Sequence, residues 1–146
     1  MENKQFEILL VEDNINDAEL AIRALRKNNI ANYIIHLKDG AAALDFIFCN
    51  GQYQGRNINN IPKVILLDLK MPRVSGIEVL EKLKSNELTK KIPVVILTSS
   101  KEHPDLEKCY QLGANSYIVK PVDYDKFTKT VNELGIHWMM INQPLA

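Results

Sequence analysis

Short, unbroken apolar runs alternate along this chain with stretches patterned like amphipathic helices. The runs at 7–11, 64–67 and 93–97 are almost wholly Val, Ile and Leu, and 33–37 and 115–119 are rich in β-formers. Continuous runs of this kind mark strands buried on both faces, the habit of parallel sheets. Between them, apolar residues recur at helical spacing: Leu20, Ala21, Ala24 and Leu25, then Ala43, Leu44, Ile47 and Phe48, then Ile77, Leu80 and Leu83. Asn16 with Glu19, and Ser75 with Glu78, have the spacing of a capping box. Asn28-Asn29 ends the first helix, Asp39-Gly40 turns the chain into the second, a helix over 102–112 stops at Gly113, and the last starts near Asp123. The order predicts five strand–helix units, with right-handed crossovers placing helices on both faces of one sheet. The connection 49–62, rich in Gly, Asn and Gln, is long for a loop and is either functional or loosely ordered.

Composition narrows the function. At 46% hydrophobic, the 146 residues can bury a core and fit one domain. Eighteen basic residues balance eighteen acidic ones, so no global positive field draws the chain to nucleic acid. No apolar run is long enough to span a bilayer and no signal-peptide pattern opens the chain, so a cytoplasmic location with no membrane partner is expected. Cys49 and Cys109 are far apart and form no CxxC, which suits reduced structural thiols. His36, His103 and His137 are scattered and read as ordinary surface or strand histidines.

The chemistry lies where the apolar runs end. Glu12-Asp13 follows the first, Asp68 the third, Thr98 the fourth and Lys120 the fifth. In a parallel α/β sheet those ends converge on one crevice. A buried carboxylate is costly unless something pairs with it. A small divalent cation takes oxygen ligands and keeps several waters. Asp13 and Asp68 can each offer a carboxylate oxygen, the Lys70 carbonyl a third, and Glu12 a ligand directly or through water. Lys120 can balance charge on a phosphoryl group, and Thr98 can offer it a hydroxyl. Phosphoryl transfer needs mostly such positioning and electrostatics. Asp68 is the candidate nucleophile, giving an acyl phosphate.

With these residues in view, the chain resembles the receiver domain of two-component response regulators. The likeness rests on Glu12-Asp13, Asp68, Met71-Pro72, Gly76, Thr98 and Lys120-Pro121, and covers about residues 6–134. It implies a flavodoxin-like (βα)5 fold with strand order 2-1-3-4-5 and a cis bond at Lys120-Pro121. It makes Asp68 the phosphoacceptor of a sensor histidine kinase, with Mg2+ as cofactor and Mn2+ as its substitute. Thr98 and Tyr117 become switch residues, remodelling the face of the fourth helix, fifth strand and fifth helix. Glu12 departs from the commoner aspartate, and Lys70 occupies a position that tunes acyl-phosphate lifetime. The 49–62 loop and the extended C-terminus are similar to single-domain regulators that accompany bacterial phytochromes, which points to a phytochrome-type kinase.

Residues 1–146 read as one receiver domain with an extension over 135–146, so the receiver itself is expected to be the output. Phe127, Val131, Leu134, Trp138 and Ile141 form an a/d-like seam through Gly135, predicting an extended last helix that helps build a homodimer or dock a partner. Several readings stay open. A relay shuttle passing phosphate to a histidine phosphotransfer protein fits nearly as well. A haloacid-dehalogenase-type phosphatase would need a second Asp where Lys70 stands, and no turnover of external substrate is expected. A flavodoxin would need a Gly/Ser/Thr phosphate cradle in place of the acidic 12–16 loop. A scaffold that is never phosphorylated is the last alternative.

Overall fold

The computed structural model describes residues 8–27, 33–71 and 73–135. Within them lie β1 (Ile8–Val11), α1 (Ile15–Lys27), β2 (Ile34–Leu37), α2 (Gly40–Phe48), β3 (Val64–Asp68), α3 (Gly76–Lys84), β4 (Val94–Thr98), α4 (Leu106–Leu112), β5 (Ser116–Val119) and α5 (Tyr124–Leu134). The five strands form one parallel sheet in the order β2-β1-β3-β4-β5, the flavodoxin-like topology. All residues of β1, β3 and β4 are buried, which is why those three read as continuous apolar runs.

Two cores sandwich the sheet. On one face Leu9, Val11, Ile65, Leu67, Val94 and Ile96 pack against α2, α3 and α4. On the other, Ile8, Leu10, Val64, Leu66, Val95 and Leu97 pack against α1 and α5, with Leu25 and Phe127 at the centre. The alternation of neighbouring strand residues between the two cores follows from the period of two in a β-strand.

Three expectations need correction. Asn14, not Asn16, caps α1: its Oδ1 accepts the Asp17 N–H at 2.9 Å. Leu20 is 48% exposed, and the stripe facing the sheet is Ala18, Ala21 and Leu25. The fourth helix starts at Leu106 instead of Glu102. Pro104 accounts for the delay, because it drives His103, the residue before it, away from helical backbone angles. The Asn28-Asn29 stop lies outside the described residues, as do Trp138 and Ile141 of the proposed seam.

The other helix starts behave as expected. Asp39, Ser75 and Asp123 cap α2, α3 and α5 by accepting backbone N–H groups at Ala42, Glu78 and Lys126. Residues 49–62 are not loose: they hold a 3-10 turn, and Arg56 fastens them to α2. Its guanidinium stacks 3.9 Å over the Phe46 ring and donates to the carbonyls of Phe46 and Asn60.

Candidate functional site

Strand register decides which side chains meet. Val11 lies beside Leu67, so Glu12 and Asp68 leave the sheet at the same level. Asp68 lies beside Leu97, and Thr98 beside Val119, so Thr98 follows one step beyond Asp68 and Lys120 two. The peptide bond before Pro121 is cis. Gly76 is required close by: a Cβ there would come within 2.3 Å of the Asp68 carbonyl oxygen, so α3 can start only where no side chain intervenes.

The convergence produces a crevice of about 420 Å3, lined by Asp13, Asn14, Asp17, Asp68, Lys70, Thr98, Ser99, His103 and Lys120. One carboxylate oxygen each from Glu12, Asp13 and Asp68 lies within 4.8 Å of the others. Glu12 and Asp68 are almost fully buried, whereas Asp13 is exposed. Lys120 joins the acidic groups. Its Nζ lies 3.1 Å from Glu12 Oε1, 3.2 Å from Asp17 Oδ2 and 3.3 Å from Asp68 Oδ1.

The energetics of this cluster are uneven. Burial, then the hydrogen bond and charge of Glu12, push the Asp68 carboxyl up to about 7, and Lys120 only partly offsets them. Burial pulls the Lys120 ammonium down, but its hydrogen bond to Glu12 and the charges of Asp68 and Glu12 more than reverse this and hold it above the ordinary lysine range. One ammonium therefore does not neutralise the acids around it. A set of hard oxygen donors with surplus negative charge is the chemistry that a small divalent cation fits.

The structure brings Glu12, Asp13, Asp68, Lys70, Thr98 and Lys120 to one place. Lys70 is exposed at the rim. Thr98 is buried, and its hydroxyl is engaged with the following turn, donating to the Ser100 carbonyl at 2.9 Å and accepting the Ser100 N–H at 3.3 Å. Tyr117 stands apart from the crevice. It packs edge-on against Tyr110 of α4, ring centres 6.4 Å apart, on the face that also carries Lys126 and Lys129 of α5.

Sequence reasoning missed Asp17, Asn14, Ser99 and His103. Only Asn14 had a signal, because Asn followed three residues later by an acid is itself a helix-start pattern. His103 is not the ordinary surface residue expected: its side chain is only 12% exposed and lines the crevice, with Nδ1 accepting the Asp105 N–H at 3.1 Å. His36 lies on β2 beside β1, where Nε2 meets the Glu12 carbonyl at 2.8 Å. Cys49 and Cys109 are free thiols.

Comparison with known proteins matches the response regulator receiver domain over residues 8–132. The chain is 40% identical over 138 residues to a probable methanogenesis regulatory protein, FilR2, of Methanothrix harundinacea, spanning 94% of this chain and 86% of that one. It is 37% identical over 132 residues to the response regulator Rcp1 of Synechocystis, spanning 90% and 88%. The solved Mn2+-bound form of Rcp1 superposes with a TM-score of 0.74, at 35% identity, covering 97% of this chain and 99% of that one. The solved bacteriophytochrome response regulator RtBRR superposes with a TM-score of 0.86, at 44% identity, covering 97% and 85%.

Proposed function

Because the chain belongs to the response regulator receiver domain family, we propose that it is a phosphorylation switch in which Asp68 accepts a phosphoryl group from a sensor histidine kinase. The observation that carries the proposal is the Asp68 carboxylate itself. It is 5% exposed, stands at the end of β3, and has an ammonium 3.3 Å away and two further acids clustered with it.

The reaction needs an oxygen nucleophile and a way to tolerate charge. A carboxylate oxygen of Asp68 attacks the phosphorus of a phosphohistidine; the P–O bond forms as the P–N bond breaks, and the imidazole leaves with the bonding pair and takes up a proton. Glu12, Asp13, Asp68 and the Lys70 carbonyl are the residues that would hold Mg2+, or Mn2+ in its place. When bound, the cation supplies the positive charge that lets an anionic carboxylate meet an anionic phosphoryl group. Lys120 contributes a mobile point charge to the same oxygens.

The readout follows from two side chains. To reach a phosphoryl oxygen, the Thr98 hydroxyl has to leave Ser100, which unfastens the turn after β4. Tyr117, now packed on Tyr110, can then turn inward beside β4 and reshape the α4–β5–α5 face. That face is the proposed surface for a homodimer or an effector protein, with signalling by contact and no turnover of external substrate. The similarity to RtBRR favours a phytochrome-type kinase as the phosphodonor.

Intact mass after incubation with a small phosphodonor tests the switch. A single phosphoryl adduct is expected, requiring both Mg2+ and Asp68, and absent from Asp68→Asn. An adduct that persists in Asp68→Asn would overturn the assignment of the acceptor.

A further inference from the structure

Lys120 meets three carboxylates, but only two of them belong to the cation cluster. Glu12 and Asp68 lie with Asp13 in the set of converging oxygens, and Asp17 does not. An ammonium has three N–H donors, and here Glu12, Asp17 and Asp68 surround it at 3.1 to 3.3 Å. A divalent cation bound by Glu12 and Asp68 would draw on the oxygens Lys120 now contacts and would repel its charge. A side chain only 18% exposed still needs a counter-charge when that happens.

Asp17 is placed to be that counter-charge. It sits in the first turn of α1, where a negative side chain is favoured by the helix N-terminus. Its N–H is held by Asn14 Oδ1 at 2.9 Å, and the Asn14 N–H reaches Glu12 Oε2 at 3.2 Å. Asn14 therefore registers Asp17 against Glu12. Asp17 is partly open to solvent, so it can keep an ion pair without the cost of a second buried acid.

We propose that Asp17 is a positioning residue for Lys120: it gives the ammonium a partner outside the cation site, so that Glu12 and Asp68 can be surrendered to a divalent ion. The inference rests on the reading of Glu12, Asp13 and Asp68 as the Mg2+ carboxylates. Without Asp17, Lys120 would have only the metal carboxylates to pair with and would compete with the ion for them.

The test is calorimetric titration of the full, unphosphorylated chain with MgCl2 and with MnCl2. Asp17→Asn should weaken binding about three- to tenfold, within the range of coupling between neighbouring charged groups. Asp17→Glu should bind nearly as the wild type does. The decisive arm repeats Asp17→Asn in a Lys120→Met background, or Lys120→Gln if Met does not fold. There the loss should shrink below about twofold, because no ammonium is left to park. An equal loss in both backgrounds would overturn the proposal, since it would mean that Asp17 acts on the ion directly as a nearby negative charge. No loss in either background would overturn it too. A wild type that binds neither ion would instead bring down the cation reading itself, and this inference with it.

Discussion

Two lysines stand at opposite ends of the sheet, and their surroundings differ in kind. Lys120, at the C-terminal ends of the strands, is held by three carboxylates. Lys84, in the last turn of α3, donates to the backbone carbonyls of Lys90 and Ile92 at 3.0 and 2.9 Å, and its stem packs where Gly113 ends α4. Burial lowers the Lys84 ammonium with nothing to restore it, whereas the acids around Lys120 more than reverse the same penalty. Backbone carbonyls cannot exchange a lysine for something else. Carboxylates can, because a cation or a phosphoryl group alters what they offer. One lysine is a stitch, and the other is part of an exchangeable charge balance.

The contrast can be broken most forcefully at Lys120. In chelator, Lys120→Met should cost about 3 kcal/mol of unfolding free energy, because two buried acids lose their counter-charge. Added Mg2+ should restore most of that loss, read as a shift in the urea midpoint. A destabilisation indifferent to Mg2+ would mean that the acids do not share the cation with the lysine.

Asp68 gives the next largest effect, of opposite sign. Its folded-state pKa of about 7 lies above the model-peptide value of 3.8. The folded chain therefore holds a proton through a window in which the unfolded chain has released it, and metal-free stability falls as pH climbs from about 4 to about 7. Asp68→Asn removes this penalty and should be more stable than the wild type by about 2 kcal/mol at pH 8 in chelator. The advantage should fade toward pH 4. An advantage independent of pH would locate it elsewhere than in the carboxylate's charge.

Lys84→Met sharpens the comparison from the other end. It should cost about 1 kcal/mol, the worth of hydrogen bonds to two carbonyls less the relief of an unfavourably buried charge. Mg2+ should restore none of it. Recovery on adding Mg2+ would erase the distinction between the two lysines.

Much of this organisation was legible in the chain. β1, β3 and β4 announced themselves because burial on both faces leaves no polar alternation to confuse them. Glu12, Asp68, Thr98 and Lys120 were legible as a group because each ends an apolar run, and parallel topology carries all such ends to one edge. What escaped depends on packing between distant segments. Nothing local distinguishes Asp17 from any acid in a first helical turn; its partner lies 103 positions away and is defined only by the sheet order. Leu20 has the spacing of a core residue, yet the face of α1 is set by where the sheet lies, and Ala18 takes the place beneath it. Arg56 looked like one polar residue in a polar loop. Its role depends on the ring and carbonyl of Phe46 in α2 and on the carbonyl of Asn60.

The three-acid grip on Lys120 also has a consequence at long range. Glu12, Asp13, Asp17 and Asp68 against Lys120 and Lys70 leave the crevice formally two charges negative when all are ionised, while the whole chain sums to zero. The remainder of the molecule must then carry two positive charges in excess. A protein without net charge thereby has a negative pole at one end of the sheet. Such a molecule feels torque before it feels attraction: in the field of an approaching partner it turns its reactive end before the surfaces touch. That alignment extends only over about a Debye length, roughly 8 Å at physiological ionic strength, so salt should slow productive encounters even though there is no net charge to screen.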